Sequence, residues 1–75
     1  MERKVRVKVE LPSGRLLELS LPMRTTVEQL IEGLGLNPEE FLALVNGELA
    51  PGDEELRDGC VVKLVPVIAW PWDVP

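Results

Sequence analysis

The stretch FLALVNGELAP, residues 41–51, holds two apolar runs separated by Asn46 and Gly47. An Asn-Gly pair favours a two-residue turn between antiparallel strands, because both positions need a positive φ that these residues accept. The run before the turn, Phe41–Val45, is almost wholly apolar, and the run after it, Glu48–Ala50, precedes a proline. The stretch therefore predicts a strand, a tight turn and a short strand.

The chain after this hairpin carries two more turn signals and a final strand. A Pro-Gly-Asp run at 51–53 and an Asp-Gly pair at 58–59 both favour turns. Between them, residues 54–56 predict one helical turn whose Leu56 side chain fills the core. Residues 60–68 predict the last strand, whose core-facing side chains are those of Val62, Leu64 and Ile68.

Two alternating segments open the chain. Lys4–Glu10 alternates valine with charged residues, and residues 15–21 carry leucine at every inward position. A period of two predicts strands with one buried face. Turn residues at 12–14 connect them, so this part of the sequence predicts a second hairpin.

The hydrophobic period changes after Pro22. Apolar residues with helical spacing follow at Val27, Leu30, Ile31 and Leu34. The pairings that fit a capping box at the start are Thr25 with Glu28 and Thr26 with Gln29. Glycines at 33 and 35 offer a stop. The segment predicts a helix of two to three turns, which is too short to persist without tertiary packing.

The order of these elements is strand, strand, helix, strand, short strand, strand. It predicts an α+β fold in which one main helix lies on one face of a mixed sheet of four to five strands. With the first and last strands side by side at the centre, this architecture is the β-grasp, or ubiquitin-like, fold. We expect residues 1–69 to form one β-grasp domain and residues 70–75 to form a short tail of tryptophan and proline.

Composition narrows the class of function. The formal net charge of −5 disfavours nucleic-acid binding, and no apolar run approaches the length of a membrane span. A single cysteine permits no internal disulfide. Without histidine, the chain lacks the usual general base, and one thiol alone cannot build a zinc site. No apolar h-region follows the charged residues at 2–4, so we expect no signal peptide. We therefore expect a cytoplasmic protein that is not an enzyme and that uses no metal or cofactor.

The motifs of the second half, in order, read LVNGE-x-x-P, then L-x-DG-x-x-V-x-x-x-PVI, from Leu44 to Ile68. They are preceded by Thr26-Val27-x-x-Leu30-Ile31 and by Leu34-Gly35-Leu36. This ordered set resembles the ThiS/MoaD family of sulfur carriers over nearly the whole chain. The resemblance implies a β-grasp protein that works with an adenylating enzyme of the ThiF/MoeB kind. It also implies sulfur transfer for thiamine, molybdopterin or a related product, through a thiocarboxylate on a C-terminal Gly-Gly.

The chain departs from that family pattern after the last strand. The resemblance places Ala69 at the small residue and puts Trp70 and Pro71 where the glycine pair belongs. Glycines let an extended tail pass close to an enzyme backbone, whereas an indole is bulky and proline fixes φ and removes an N–H. We therefore expect standard thiocarboxylate chemistry to be lost. The alternative is a non-covalent interaction module or regulatory subunit with a β-grasp fold.

The outward residues of the last strand form the predicted partner-docking face. Val61, Lys63, Val65 and Val67 share one side of that strand, and Arg6 and Lys8 lie on the neighbouring strand. Exposed valines ringed by cations fit a docking surface. The competing interpretation is that surface valines reflect strand propensity alone.

Three other features complete the sequence-based expectations. We expect Cys60 to be a small, partly exposed and inert strand residue, because the chain has no histidine to act as its base. The acidic residues at 53–55 with Asp58 lack calcium-loop spacing and predict a solvated loop. The tail residues Trp70 and Trp72 either fold back over the open sheet or anchor into another protein, including a second copy in a homodimer.

Overall fold

The computed structural model describes residues 3–67. Its elements are β1 (Lys4–Glu10), β2 (Leu16–Pro22), α1 (Val27–Gly33), a 3₁₀ turn (Pro38–Glu40), β3 (Phe41–Val45), β4 (Glu48–Ala50) and β5 (Cys60–Pro66). The strands form one sheet in the order β2-β1-β5-β3-β4. The central pair, β1 and β5, is parallel, and the other pairs are antiparallel. This confirms the predicted mixed β-grasp sheet with one main helix.

The hairpin of β1 and β2 follows the predicted alternation. The inward pairs across it are Val5 with Leu21, Val7 with Leu19 and Val9 with Leu17. The valines are buried because β1 lies inside the sheet, and the leucines are half-buried because β2 is an edge strand. The hairpin therefore contributes one fully buried row and one half-covered row of apolar side chains.

Of the two capping boxes that fit the helix start, the structure contains the pair Thr26 and Gln29. The Gln29 N–H donates to the Thr26 hydroxyl over 3.2 Å, and the Thr26 N–H donates to the Gln29 side-chain oxygen over 3.0 Å. These bonds satisfy donors that a helix start leaves unpaired. At the other end, Gly35 has a φ of +80°, which completes a Schellman stop with Leu36.

The apolar stripe of α1 closes the core against the sheet. Its inward side chains, Val27, Leu30 and Ile31, are each 2% exposed. They pack with the buried residues of the central strands, among which Val9 and Val62 are fully inaccessible. None of the helices within residues 3–67 has the length and apolar character needed to cross a membrane.

The turn between β3 and β4 has the predicted form. Asn46 has a φ of +51° and Gly47 a φ of +86°, as a type I′ turn requires. Asn46 also exchanges two hydrogen bonds with Val61, since its N–H donates to the Val61 carbonyl and its side-chain oxygen accepts from the Val61 N–H. The turn is thereby fixed to β5 as well as closing its own hairpin.

The predicted helical turn at residues 54–56 is wrong. Glu55 instead forms an isolated antiparallel bridge with Thr26. The Val27 N–H donates to the Glu54 carbonyl over 2.9 Å, and the Leu56 N–H donates to the Thr25 carbonyl over 2.8 Å. The segment is extended because its backbone pairs with backbone groups at the start of α1, including the Val27 N–H, which has no partner within the helix. Leu56 still fills the core, at 4% exposed, as predicted.

The predicted partial exposure of Cys60 is also wrong. Cys60 is the first residue of β5, lies opposite Val7 and is 3% exposed. Because side chains alternate along a strand, Cys60 shares the inward face with Val62 and Leu64. Its thiol is a buried core group.

Candidate docking surface on the open face of the sheet

The side of the sheet opposite α1 is called here the open face, because within residues 3–67 no element covers it. Strand register assigns to it Lys4, Arg6, Lys8 and Glu10 of β1, Leu16, Glu18 and Ser20 of β2, Leu42 and Leu44 of β3, Leu49 of β4, and Val61, Lys63 and Val65 of β5. Val67 follows β5 on the same face, held by a 2.8 Å bond from its N–H to the Glu40 carbonyl.

All six residues of the predicted docking face lie on the open face. Lys8 stands directly opposite Val61 in the parallel pair of β1 and β5. Val61 and Val67 are 44% and 53% exposed, whereas Val65 is more buried than either. The central strands therefore bring the cations and the valines together, as the sequence predicts, and their docking role remains a prediction.

Sequence reasoning missed three leucines that extend the apolar part of this face. Leu42 lies opposite Val65, and Leu44 lies between Lys63 of β5 and Leu49 of β4. Leu42 is 47% exposed and Leu49 is 66% exposed. Together with Val65 and Val67, these leucines form the apolar patch. An all-apolar strand gives no local signal for its outward side: the burial of Ala43 places Leu42 and Leu44 outward, and Leu49 follows because it lies opposite Leu44.

The rest of the open face is charged, and its charge differs from that of the whole chain. It carries four of the eight basic residues and two of the thirteen acidic ones, in a chain of net charge −5. Lys63 and Glu10 approach to 3.6 Å, but both side chains are exposed, so the pair contributes little stability. The apolar patch is thus bordered by a surface of net positive charge.

Other predicted features fall outside this surface. Within residues 3–67 no group of acidic side chains or cysteine is arranged to hold a metal ion. Asp58 of the acidic loop is structural, because its carboxylate accepts a 2.8 Å hydrogen bond from the Arg6 N–H. The described residues end at Val67, so the predictions for Ile68, Ala69, Trp70, Pro71 and Trp72 fall outside them.

Comparison with known proteins agrees with this architecture. Residues 7–69 match the model of the ThiS family. The N-terminal ubiquitin-like domain of the 4931431F19Rik protein is similar in structure, with a TM-score of 0.70 at 22% identity over 93% of this chain and 81% of that one. The C-terminal ubiquitin-like domain of mouse tubulin-specific chaperone e has a TM-score of 0.66 at 16% identity over 92% of each chain. A ubiquitin-like protein of Trypanosoma brucei has a TM-score of 0.64 at 21% identity over 88% of this chain and 98% of that one.

Proposed function

The chain belongs to the ThiS family, and from this premise we propose that it docks through the open face on an adenylating enzyme. It is a sulfur-carrier-like β-grasp protein. The proposed pathway is sulfur transfer for thiamine, molybdopterin or a related product, in the cytoplasm. In this role the protein is a partner that the enzyme acts on or responds to, and not itself a catalyst.

The observation that carries the proposal is the apolar patch beside a cationic border on the open face. Five apolar side chains, Leu42, Leu44, Leu49, Val65 and Val67, lie on one uncovered side of the sheet. Apolar side chains at the centre of an interface supply most of its binding energy, while charges around them favour one partner and one orientation. The surface suits an acidic partner with an apolar centre.

The residues after β5 qualify the chemistry. Trp70 and Pro71 stand where the family resemblance requires a glycine pair. An indole has a large fixed cross-section, and proline fixes φ and lacks the backbone N–H that glycine has. We propose that docking is retained and that thiocarboxylate formation is lost. This favours the second candidate function, a non-covalent interaction module or regulatory subunit.

Intact-mass measurement tests the chemistry. The protein is incubated with ATP, sulfide and the adenylating enzyme of its own organism. We expect no exchange of oxygen for sulfur in the wild type, and we expect exchange in a variant carrying Trp70→Gly and Pro71→Gly that ends after residue 71. Exchange in the wild type would reject the loss of carrier chemistry.

Calorimetric titration against the same enzyme tests docking separately. Leu42→Ser or Leu49→Ser should weaken binding at least tenfold, because each removes exposed apolar contact. Glu32→Gln on the exposed side of α1 is the matched control and should bind as the wild type does. Equal affinity for the patch variants and the control would reject the open face as the docking surface.

A further inference from the structure

The outer edge of β2 is a long strand edge without a partner among residues 3–67. β2, Leu16–Pro22, pairs only with β1, whereas the strand at the opposite edge, β4, is three residues long. Natural proteins usually protect long edges with charges, prolines or bulges, because such edges accept another strand. β2 has one charged residue, Glu18, and its only proline is at its last position. The edge is therefore suited to strand addition.

Hydrogen bonds at the two ends of the hairpin show which backbone groups of β2 point away from β1, toward the free edge. The Leu11 N–H donates to the Arg15 carbonyl over 2.8 Å, and the Met23 N–H donates to the Arg3 carbonyl over 3.1 Å. Bonded and non-bonded pairs alternate in an antiparallel ladder. In this register, the β2 residues that bond to β1 are Leu17, Leu19 and Leu21. The N–H groups that point away from β1 belong to Leu16, Glu18 and Ser20.

The same edge leaves apolar surface half-covered. The leucines at 17, 19 and 21 pack against the core with one side and are half-exposed, because no strand lies beyond them. A strand added at this edge would cover them while it pairs the outward backbone groups. Main-chain bonds and apolar contact would then contribute together, as in other cases of strand addition.

We infer that the strand added at this edge is β2 of a second copy of the chain, in antiparallel orientation about a two-fold axis at Leu19. In this register Leu19 faces the second copy's Leu19, and Leu17 faces Leu21. Glu18 faces Ser20, with two backbone hydrogen bonds in each such pair. The Leu16 N–H donates to the Pro22 carbonyl, so the missing N–H of Pro22 costs only one bond at each end.

Charge selects this register over its neighbours. An axis at Glu18 would place two carboxylates directly opposite each other, which is unfavourable in a strand pair. An axis at Ser20 would set Glu18 against Pro22 and leave Leu16 without a partner in the other strand. The axis at Leu19 alone aligns the three leucines of both copies and sets each carboxylate against a hydroxyl.

The dimer has a consequence for docking. A two-fold axis at the strand pair stands perpendicular to the sheet, so both helices lie on one side and both open faces lie on the other. The contact is self-complementary, as a two-fold interface requires. Because it uses only the edge of β2, it leaves both apolar patches free, and the inference is independent of the proposed function.

Sedimentation equilibrium and amide hydrogen exchange of the full chain test the inference. We expect a monomer–dimer equilibrium, and we expect the amides of Leu16, Glu18 and Ser20 to gain protection as concentration rises. Amides of the leucines at 17, 19 and 21 should be protected already in the monomer, because they bond to β1. A protein that stays monomeric at millimolar concentration, or a dimer without added protection at the β2 edge, would overturn the inference.

Charge variants at Ser20 test the register. Ser20→Lys places an ammonium group opposite each Glu18 of the other copy, and Ser20→Glu places a carboxylate there. Each dimer contains two such pairs, so we expect the first to strengthen and the second to weaken dimerisation by roughly threefold to thirtyfold. Circular dichroism verifies that both variants fold. Dimerisation constants that shift in the same direction, or do not shift, contradict the register.

Two further variants separate this dimer from others. Trp70→Ser with Trp72→Ser removes the indoles of the tail, and Leu49→Ser alters the apolar patch. Neither should change the dimerisation constant, since neither residue belongs to β2. A loss of dimer in either variant would assign the contact to the tail or to the open face and would overturn the inference.

Discussion

The carboxylate of Asp58 accepts a hydrogen bond from the backbone N–H of Arg6 over 2.8 Å, although 52 residues separate them in sequence. Beside it, the Gly59 N–H donates to the Arg6 carbonyl over 2.8 Å. Both bonds join the start of β5 to the middle of β1. They extend the parallel pairing of the two central strands past the first residue of β5, and so they help set the register that places cations beside valines on the open face.

Asp58→Ala should lower the free energy of unfolding by about 1–3 kcal/mol, because it removes a charge-assisted bond between the two central strands. Urea unfolding followed by circular dichroism measures the loss. Asp53→Ala, in the same acidic loop, is the control and should change stability by less than about 0.5 kcal/mol. If the two variants were equally stable, the Asp58 contact would contribute nothing.

Thr26→Ala should destabilise the protein by about 1 kcal/mol, because the hydroxyl that caps the Gln29 N–H is removed. Thr26→Ser keeps the hydroxyl and is the matched control, with stability close to the wild type. Thermal unfolding of the three proteins provides the comparison. A serine variant as unstable as the alanine variant would show that the methyl group, and not the cap, matters at this position.

Gly47→Ala and Gly33→Ala should change stability in opposite directions. Neither added methyl group would meet an atom within 4 Å, so the difference is conformational. Gly47 has a φ of +86°, which costs alanine about 1 kcal/mol, whereas Gly33 is helical and alanine there gains about 0.5–1 kcal/mol. Denaturant midpoints that move in the same direction for both variants would contradict this account of the turn.

Leu56→Ala should cost about 2–5 kcal/mol, because Leu56 is 4% exposed and its removal leaves a cavity beneath the start of α1. Leu49→Ala is the matched control on the open face, where the side chain is 66% exposed, and it should cost less than about 1 kcal/mol. Equal losses in urea unfolding would mean that Leu49 is covered in solution, for example by another chain.

Local patterns predicted most of the fold because their causes are local. The period of two in Lys4–Glu10 and the Asn46-Gly47 turn depend on neighbouring residues, and both are present as predicted. The extended conformation at Glu55 depends on a bridge to Thr26, a distant residue that no local pattern contains. The burial of Cys60 likewise depends on where β5 begins against β1.

The candidate site could be predicted only in part from the sequence, because part of it depends on contacts between distant residues. Val61, Lys63, Val65 and Val67 follow from alternation along one strand. Assigning Leu42 to the same surface requires knowing that β3 pairs with β5 in a particular register. The outward direction of a side chain in an all-apolar strand is decided by the neighbouring strands, and these come from distant parts of the sequence.

The uneven placement of charge gives the molecule a permanent electric dipole. Cations gather on the open face, while α1 carries Glu28 and Glu32 on its exposed side and no basic residue. In the field of an anionic protein, this dipole produces a torque that turns the open face toward that protein before contact, even though the net negative charge of the chain is repelled. The field would then select the orientation of the approaching molecule at long range, and added salt would confine that selection to separations shorter than the Debye length, which is about 10 Å at 0.1 M ionic strength.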